Sequence, residues 1–205
     1  VVLGQGATAH GGRTDDVVSL MDYLYRKMTI VLGLVLSWRQ QVVELRRSAL
    51  TDPLTGLANR TGFWAGFDHD SSAGHHDVGL LYVDLDHFKT VNDTHGHDVG
   101  DDVLKAVAGC LRDMTRYHDV AARLGGEEFA VVAPNMDVDQ LRKFAERIRK
   151  GIAGLQVFSG DVRLNITTSV GLAVWDKRES AEDFFRRADR HLYQAKRLGR
   201  NRVCA

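Results

Sequence analysis

From Val17 onward, apolar residues recur at strictly alternating steps of four and three: Val17, Met21, Leu24, Met28, Val31, Val35, Trp38, Val42, Leu45 and Ala49. A strand would repeat every second residue, so this spacing selects a helix. It is an a/d heptad seam, the pattern that makes helices supercoil about one another. Residues 15–50 are therefore expected to form a coiled-coil signalling helix. Met21, Met28, Val35, Val42 and Ala49 take the a positions, and Val17, Leu24, Val31, Trp38 and Leu45 the d positions. Ile30, Leu32, Leu34 and Leu36 widen the apolar face beyond a two-stranded seam. A single helix lying on its own domain, a four-helix arrangement and a contact with an upstream domain thus stay open beside the preferred parallel homodimer. Gly33 costs up to about 1 kcal/mol against Ala inside a helix and marks the weakest point. The densest apolar run, Met28 to Trp38, is about eleven residues long. Spanning a bilayer takes roughly twenty.

Pro53 cannot continue that helix and biases Asp52 away from helical geometry. The chain then divides into residues 1–14, a Gly-rich and polar linker or the end of an upstream region, the helix 15–50, and a head over 51–205. A start at Val1 reads as a fragment or processed piece, without a secretory pattern. Hydrophobic residues make up 44% of the 205, enough to build a buried core in the head. Lys plus Arg and Asp plus Glu balance at 27 each, against the basic excess of a general nucleic-acid binder, so no nucleic-acid partner is expected. Cys110 and Cys204 match no disulfide framework or metal spacing. Cys110 reads as a buried structural thiol, and the usage fits a reducing, cytoplasmic compartment.

Within the head, a helix is expected over about 59–68, then a polar loop from His69 to Asp77. Val78 to Leu85 reads as a buried strand, and residues from about 98 to 115 as a helix. Asp119 to Leu124 and Phe129 to Ala133 read as strands joined through Gly125-Gly126. Val138 to Ile148 marks a helix ending at Gly151, Leu164 to Trp175 a strand, and Phe184 to Ala195 a last helix. This order predicts an α/β (α+β) sandwich, a ferredoxin-like mixed sheet with helices on one face, preceded by the long N-terminal coiled-coil helix.

Two acidic clusters fall at strand ends: Asp84-Leu85-Asp86, and Glu127-Glu128 in the hairpin turn. Carboxylates there can share a hard cation, since Mg²⁺ takes one or two carboxylates plus substrate phosphate oxygens. Two such ions can neutralise the attacking and leaving oxygens of a phosphoryl displacement. Gly125 and Gly126 leave room for phosphates to approach the backbone. Spacing alone equally allows solvated acids in turns. His87, His95 and His97 cluster without a Cys or a zinc-ligand pattern.

The local strings go further. Arg123-Leu124-Gly125-Gly126-Glu127-Glu128-Phe129 resembles the signature hairpin of the diguanylate cyclase (GGDEF) family. Asp52-Pro53-Leu54-Thr55-Gly56-Leu57-Ala58-Asn59-Arg60 and the run from Asp84 to Asp93 are similar to other motifs of that family. So are Gly96-His97-Asp98-Val99-Gly100-Asp101 and the run from Ala195 to Arg202, all in the family's order. The resemblance implies an enzyme joining two GTP molecules, one per subunit of a homodimer, into cyclic di-GMP with loss of pyrophosphate. It implies that Asp84, the Leu85 main-chain carbonyl and Glu127 hold Mg²⁺, or Mn²⁺ in its place, with Glu128 a further ligand. Glu127 would help deprotonate the attacking 3′-hydroxyl and Lys89 stabilise phosphate charge. Asn92 and Asp101 would read the guanine edge with His97 nearby, a carboxylate suiting guanine N1–H and N2–H₂, which adenine lacks. Lys196 and Arg200, four apart on a helix end, would grip terminal phosphates.

Arg116-Tyr117-His118-Asp119 is similar to the family's product-binding inhibitory motif, Arg116 and Asp119 being the implied contacts and Arg147 a further one. Cyclic di-GMP is thus expected as both product and inhibitor. A parallel stalk would raise the effective concentration of two heads and set their rotation. An upstream sensory domain is the expected partner in the full-length protein, which would be cytoplasmic or membrane-attached through regions outside this chain.

Overall fold

A computed structural model describes residues 11–72, 77–176 and 178–205. Contacts divide the chain into two units, a helical one up to Arg47 and a compact body from Ser48.

Helix α1 runs Gly11–Leu50, 40 residues and about 60 Å at 1.5 Å per residue. It takes in residues 11–14, expected as linker; extending an existing helix by a turn is cheap compared with nucleating one. Residues 1–10 of that expected linker lie outside the described residues. The seam is exposed in the single chain: Val31 is 58%, Val35 53% and Trp38 68% accessible. An i,i+4 ion pair, Arg26 Nε to Asp22 Oδ2 at 2.9 Å, lies on its surface. Among the described residues no helix is long and apolar enough to cross a membrane.

The body contains α2 (Arg60–Ser72), β1 (Val78–Leu85), α3 (Phe88–His95), α4 (His97–Met114), β2 (Val120–Gly125) and β3 (Glu128–Pro134). There follow α5 (Val138–Ala153), β4 (Val157–Ser159), β5 (Val162–Leu164), β6 (Thr168–Val174), α6 (Ala181–Arg197) and β7 (Val203–Cys204). The main sheet has the order β2-β3-β1-β6-β7, and β4-β5 form a separate hairpin. All main-sheet pairs are antiparallel except β6–β7, which is parallel. The sheet is therefore mixed, as expected.

Helices cover both faces of that sheet rather than one. Every residue of β1 is buried, which a sheet open on one side could not give. Leu81, Val83, Phe129, Val131 and Leu172 pack with Val107 and Leu111 of α4 and Phe144 and Ile148 of α5. On the other side Leu80, Tyr82, Ala130 and Val132 pack with Phe63 and Phe67 of α2 and Phe184 and Leu192 of α6. Helix α6 lies directly on β6: a Cβ added to Gly171 would come within 2.1 Å of the Ala188 carbonyl oxygen. Near the C-terminal end of α6, Lys196 reaches Asp84 at the end of β1.

Four further differences are local. Leu164 to Trp175 is not one strand, because residues 165–167 break it into β5 and β6. The short helix α3 and the turn at Gly96 (φ 87°) precede α4, in a stretch too polar for an apolar stripe to announce. Helix α2 continues to Ser72 across the start of the expected His69–Asp77 loop, of which 73–76 lie outside the described residues. Cys110 is half-buried rather than buried, with its Sγ 4.0 Å from Met114 Sδ, and burial raises its thiol pKa.

Candidate active site

Strand pairing brings the two acidic clusters together. Asp84 stands opposite Glu128 in the β1–β3 register, and Leu85 N–H donates to the Glu127 carbonyl at 3.3 Å. Asp84 is 6% exposed, and Lys196 Nζ on α6 lies 2.8 Å from its Oδ2. Burial raises the Asp84 pKa and the adjacent charges of Glu127 and Glu128 push the same way, while Lys196 opposes them. Lys196, expected at phosphates, is thus placed on the carboxylate itself.

The turn carrying Glu127 is shaped by glycine. Gly125 and Gly126 have φ of 152° and 49°, and a Cβ at either would meet nothing within 4 Å. The backbone needs glycine there, and the turn stays open to a ligand. Arg123 braces it from behind: its Nε donates to the Gly126 carbonyl at 2.9 Å and its Nη1 lies 3.3 Å from Asp52 Oδ1. Asp52 also accepts from Thr55 N–H and Oγ1 at 2.9 and 2.6 Å. Burial would raise the Asp52 carboxyl, but these hydrogen bonds and the Arg123 charge outweigh it and hold the group below its ordinary value. Sequence reading quoted both residues in motifs and missed that they meet.

Asp86 is turned to structural use. It accepts from Ser169 Oγ at 2.7 Å, Thr167 Oγ1 at 2.8 Å and Asn201 N–H at 3.0 Å, tying the end of β1 to β6 and the C-terminal turn. No sequence signal separated it from Asp84. Tyr82 was also missed. It stands diagonal to Glu128 across the β1–β3 pair, and burial first, then the Glu128 and Asp189 charges, raises its pKa.

Asn92 of α3 lies against the first turns of α4, since a Cβ on Gly100 would fall 1.9 Å from Asn92 Oδ1. Asp101 follows that glycine, half-exposed, and exposed His97 begins α4. Lys89 is exposed in the first turn of α3. Arg200 departs from expectation: α6 ends at Arg197, so Lys196 and Arg200 do not share a helix end. Arg200 N–H donates to the Ala195 carbonyl and Gly199 N–H to that of Lys196, a Schellman closure with φ of 111° at Gly199 and 63° at Arg200.

The inhibitory-motif residues gather at the opposite, open end of the β2–β3 hairpin. Arg116 and Arg147 line one cavity of about 350 Å³, and Arg116 and Asp119 an adjoining one of about 220 Å³. Asp119 Oδ2 accepts from Arg116 N–H at 2.8 Å. Arg147 lies over the Phe144 ring and donates to the Met114 carbonyl at 3.0 Å.

Among the described residues, no three His, Cys, Asp or Glu side chains gather into a closed metal cage. The β1–β3 pairing brings Asp84, the Leu85 carbonyl and Glu127 to one end of the sheet, oxygen donors short of a complete set. That suits Mg²⁺, which keeps waters and borrows phosphate oxygens.

The profile of the family "Diguanylate cyclase, GGDEF domain" matches residues 49–202. The diguanylate cyclase DgcP of Pseudomonas aeruginosa is 41% identical over 170 residues, covering 82% of this chain and 25% of that protein. The diguanylate cyclase VdcA of Vibrio cholerae is 40% identical over 168 residues, 80% of this chain and 49% of that one. This chain thus spans a quarter to a half of those relatives. The structure of the coiled coil and GGDEF domain of DgcB from Caulobacter crescentus, in complex with c-di-GMP, superposes with a TM-score of 0.82. It is 34% identical, over 89% of this chain and 98% of that one. Profile, relatives and superposition agree with the site geometry: this chain belongs to the diguanylate cyclase GGDEF domain family.

Proposed function

We propose that this chain is a diguanylate cyclase, condensing two GTP into cyclic di-GMP and two pyrophosphates as a homodimer. The observation that carries the reading is the strand register that sets Asp84 and Leu85 of β1 against Glu127 and Glu128 of the open Gly-Gly turn. Asp84, the Leu85 carbonyl and Glu127 hold Mg²⁺, or Mn²⁺, and Glu128 is a further ligand. When bound, the cation neutralises phosphate charge and lowers the pKa of the attacking 3′-hydroxyl. Glu127 accepts that proton. Lys89 and Lys196 offset phosphate charge, and exposed Arg200, presented by its left-handed turn, reaches the terminal phosphates. Asn92 and Asp101, with His97 beside them, select guanine through its N1–H and N2–H₂ donors.

Each subunit carries one GTP, so turnover needs two heads face to face, and α1 supplies the pairing through its heptad seam. Arg116, Asp119 and Arg147 bind product at the far end of the hairpin and restrain the enzyme. A sensory domain upstream of α1 sets stalk register, and the body works in the cytoplasm.

The deciding experiment is incubation with GTP and Mg²⁺, followed by assay for pyrophosphate and cyclic dinucleotide. Both products are expected, and Glu127→Gln should lower their rate by about 10²–10⁴-fold. Binding of cyclic di-GMP without either product would make the chain a receptor instead.

A further inference from the structure

The two acids of the hairpin are held differently. Glu127 sits in the turn, whereas Glu128 begins β3 on the face covered by α2 and α6. Tyr82 lies on that same face, two residues before Asp84 on β1 and diagonal to Glu128 across the strand pair. Long side chains reach across such a diagonal. The Tyr82 ring is 8% exposed and packs on Phe185 with ring centroids 5.3 Å apart. Tyr82 and Glu128 both line a groove of about 630 Å³, with Arg60, Trp64 and Asp189 in its walls.

We infer that Tyr82 is a positioning residue whose hydroxyl donates to one oxygen of Glu128 and leaves the other free for a divalent cation. The inference rests on the cyclase reading. A carboxylate has two oxygens and about four lone-pair sites, so one phenol hydrogen bond does not exhaust it. Outer hydrogen bonds of this kind fix the orientation of a ligating carboxylate. Without Tyr82, Glu128 faces the like charge of Asp84 directly across the strands, a destabilising arrangement. It then turns outward to water. The aromatic ring alone cannot prevent that, because Phe185 holds the ring and only the hydroxyl holds the acid.

Tyr82→Phe tests this while keeping the packing. Turnover is followed against Mg²⁺ concentration at saturating GTP. Mn²⁺ binding is measured by calorimetry with 3′-deoxy-GTP, which lacks the attacking hydroxyl. The Mg²⁺ midpoint should rise about tenfold, Mn²⁺ binding should weaken in step, and the KM for GTP at saturating Mg²⁺ should hold. Glu128→Gln should give the same shift, with nothing added by combining the two changes. Unmoved metal curves with a lowered unfolding midpoint would make Tyr82 merely structural and overturn the inference. Additive shifts in the double variant would overturn it too. A wild-type chain that yields no pyrophosphate defeats the cyclase reading instead, and the Mn²⁺ measurement still decides Tyr82.

Discussion

Strand β1 and helix α1 draw on the same side chains, Val and Leu above all, and end in opposite surroundings. In β1, Leu80, Leu81 and Val83 are 0% exposed, closed in by helices on both sides. In α1, Val17, Leu24, Val31 and Leu45 stand 55–68% exposed. Apolar content therefore does not by itself say where a segment's free energy comes from. The strand is stabilised by its own chain. A long helix with an unburied seam draws its stability from elsewhere, since tertiary packing of an apolar face supplies most helical stability. Exposed apolar stretches of this extent mark interaction surfaces.

Five variants test that contrast. The largest effect is expected from Val31→Glu, Val35→Glu and Trp38→Glu together. At low protein concentration, dimer content in light scattering and cyclic di-GMP formation should fall together by about 10²-fold, with the body's unfolding midpoint unmoved. Unchanged turnover would sever α1 from catalysis. Next, Leu81→Ala should cost the body about 2–5 kcal/mol in denaturant unfolding. Leu24→Ala, exposed in α1, should cost the monomer under about 0.5 kcal/mol. A third case lies within the body. Asp52 has its carboxyl pKa held below the ordinary value, so its contribution is present above the unfolded pKa, near 4, and is lost as pH falls through the folded one. Asp52→Asn should cost about 1.5–3 kcal/mol at neutral pH, and the gap from wild type should close on acidification. The last variant, Gly33→Ala, is a small gain rather than a loss, since a new Cβ there meets nothing within 4 Å. Helicity of α1 should rise by up to about 1 kcal/mol of stability.

Periodic features were legible in the sequence. The 3.5-residue seam yielded α1, and the apolar run at Val78–Leu85 yielded β1 with both ends as observed. What escaped depends on partners distant in sequence. Arg123 meets Asp52 across 71 positions and Asp86 meets Asn201 across 115, and neither leaves a periodic trace. The burial of every β1 residue implied cover on both faces, but element order alone suggested one. At the site, residue types were readable because strand ends and Gly-Gly turns have local signatures. Orientation was not: Lys196 on Asp84 and Arg200 beyond the helix end follow from where α6 runs and stops, and Tyr82 beside Glu128 follows from the β1–β3 register.

Asp84 opposite Glu128 has an implication for anyone selecting variants of this protein. The sheet keeps two like charges face to face at the end of an otherwise apolar pair, and the nearest Lys compensates only one of them. A screen for heat resistance alone would therefore reward neutral residues at 84 and 128 before most other positions, since folds commonly give up stability where they do chemistry. Enrichment at those two sites would trace the proposed metal site from survival data, without any nucleotide in the tube.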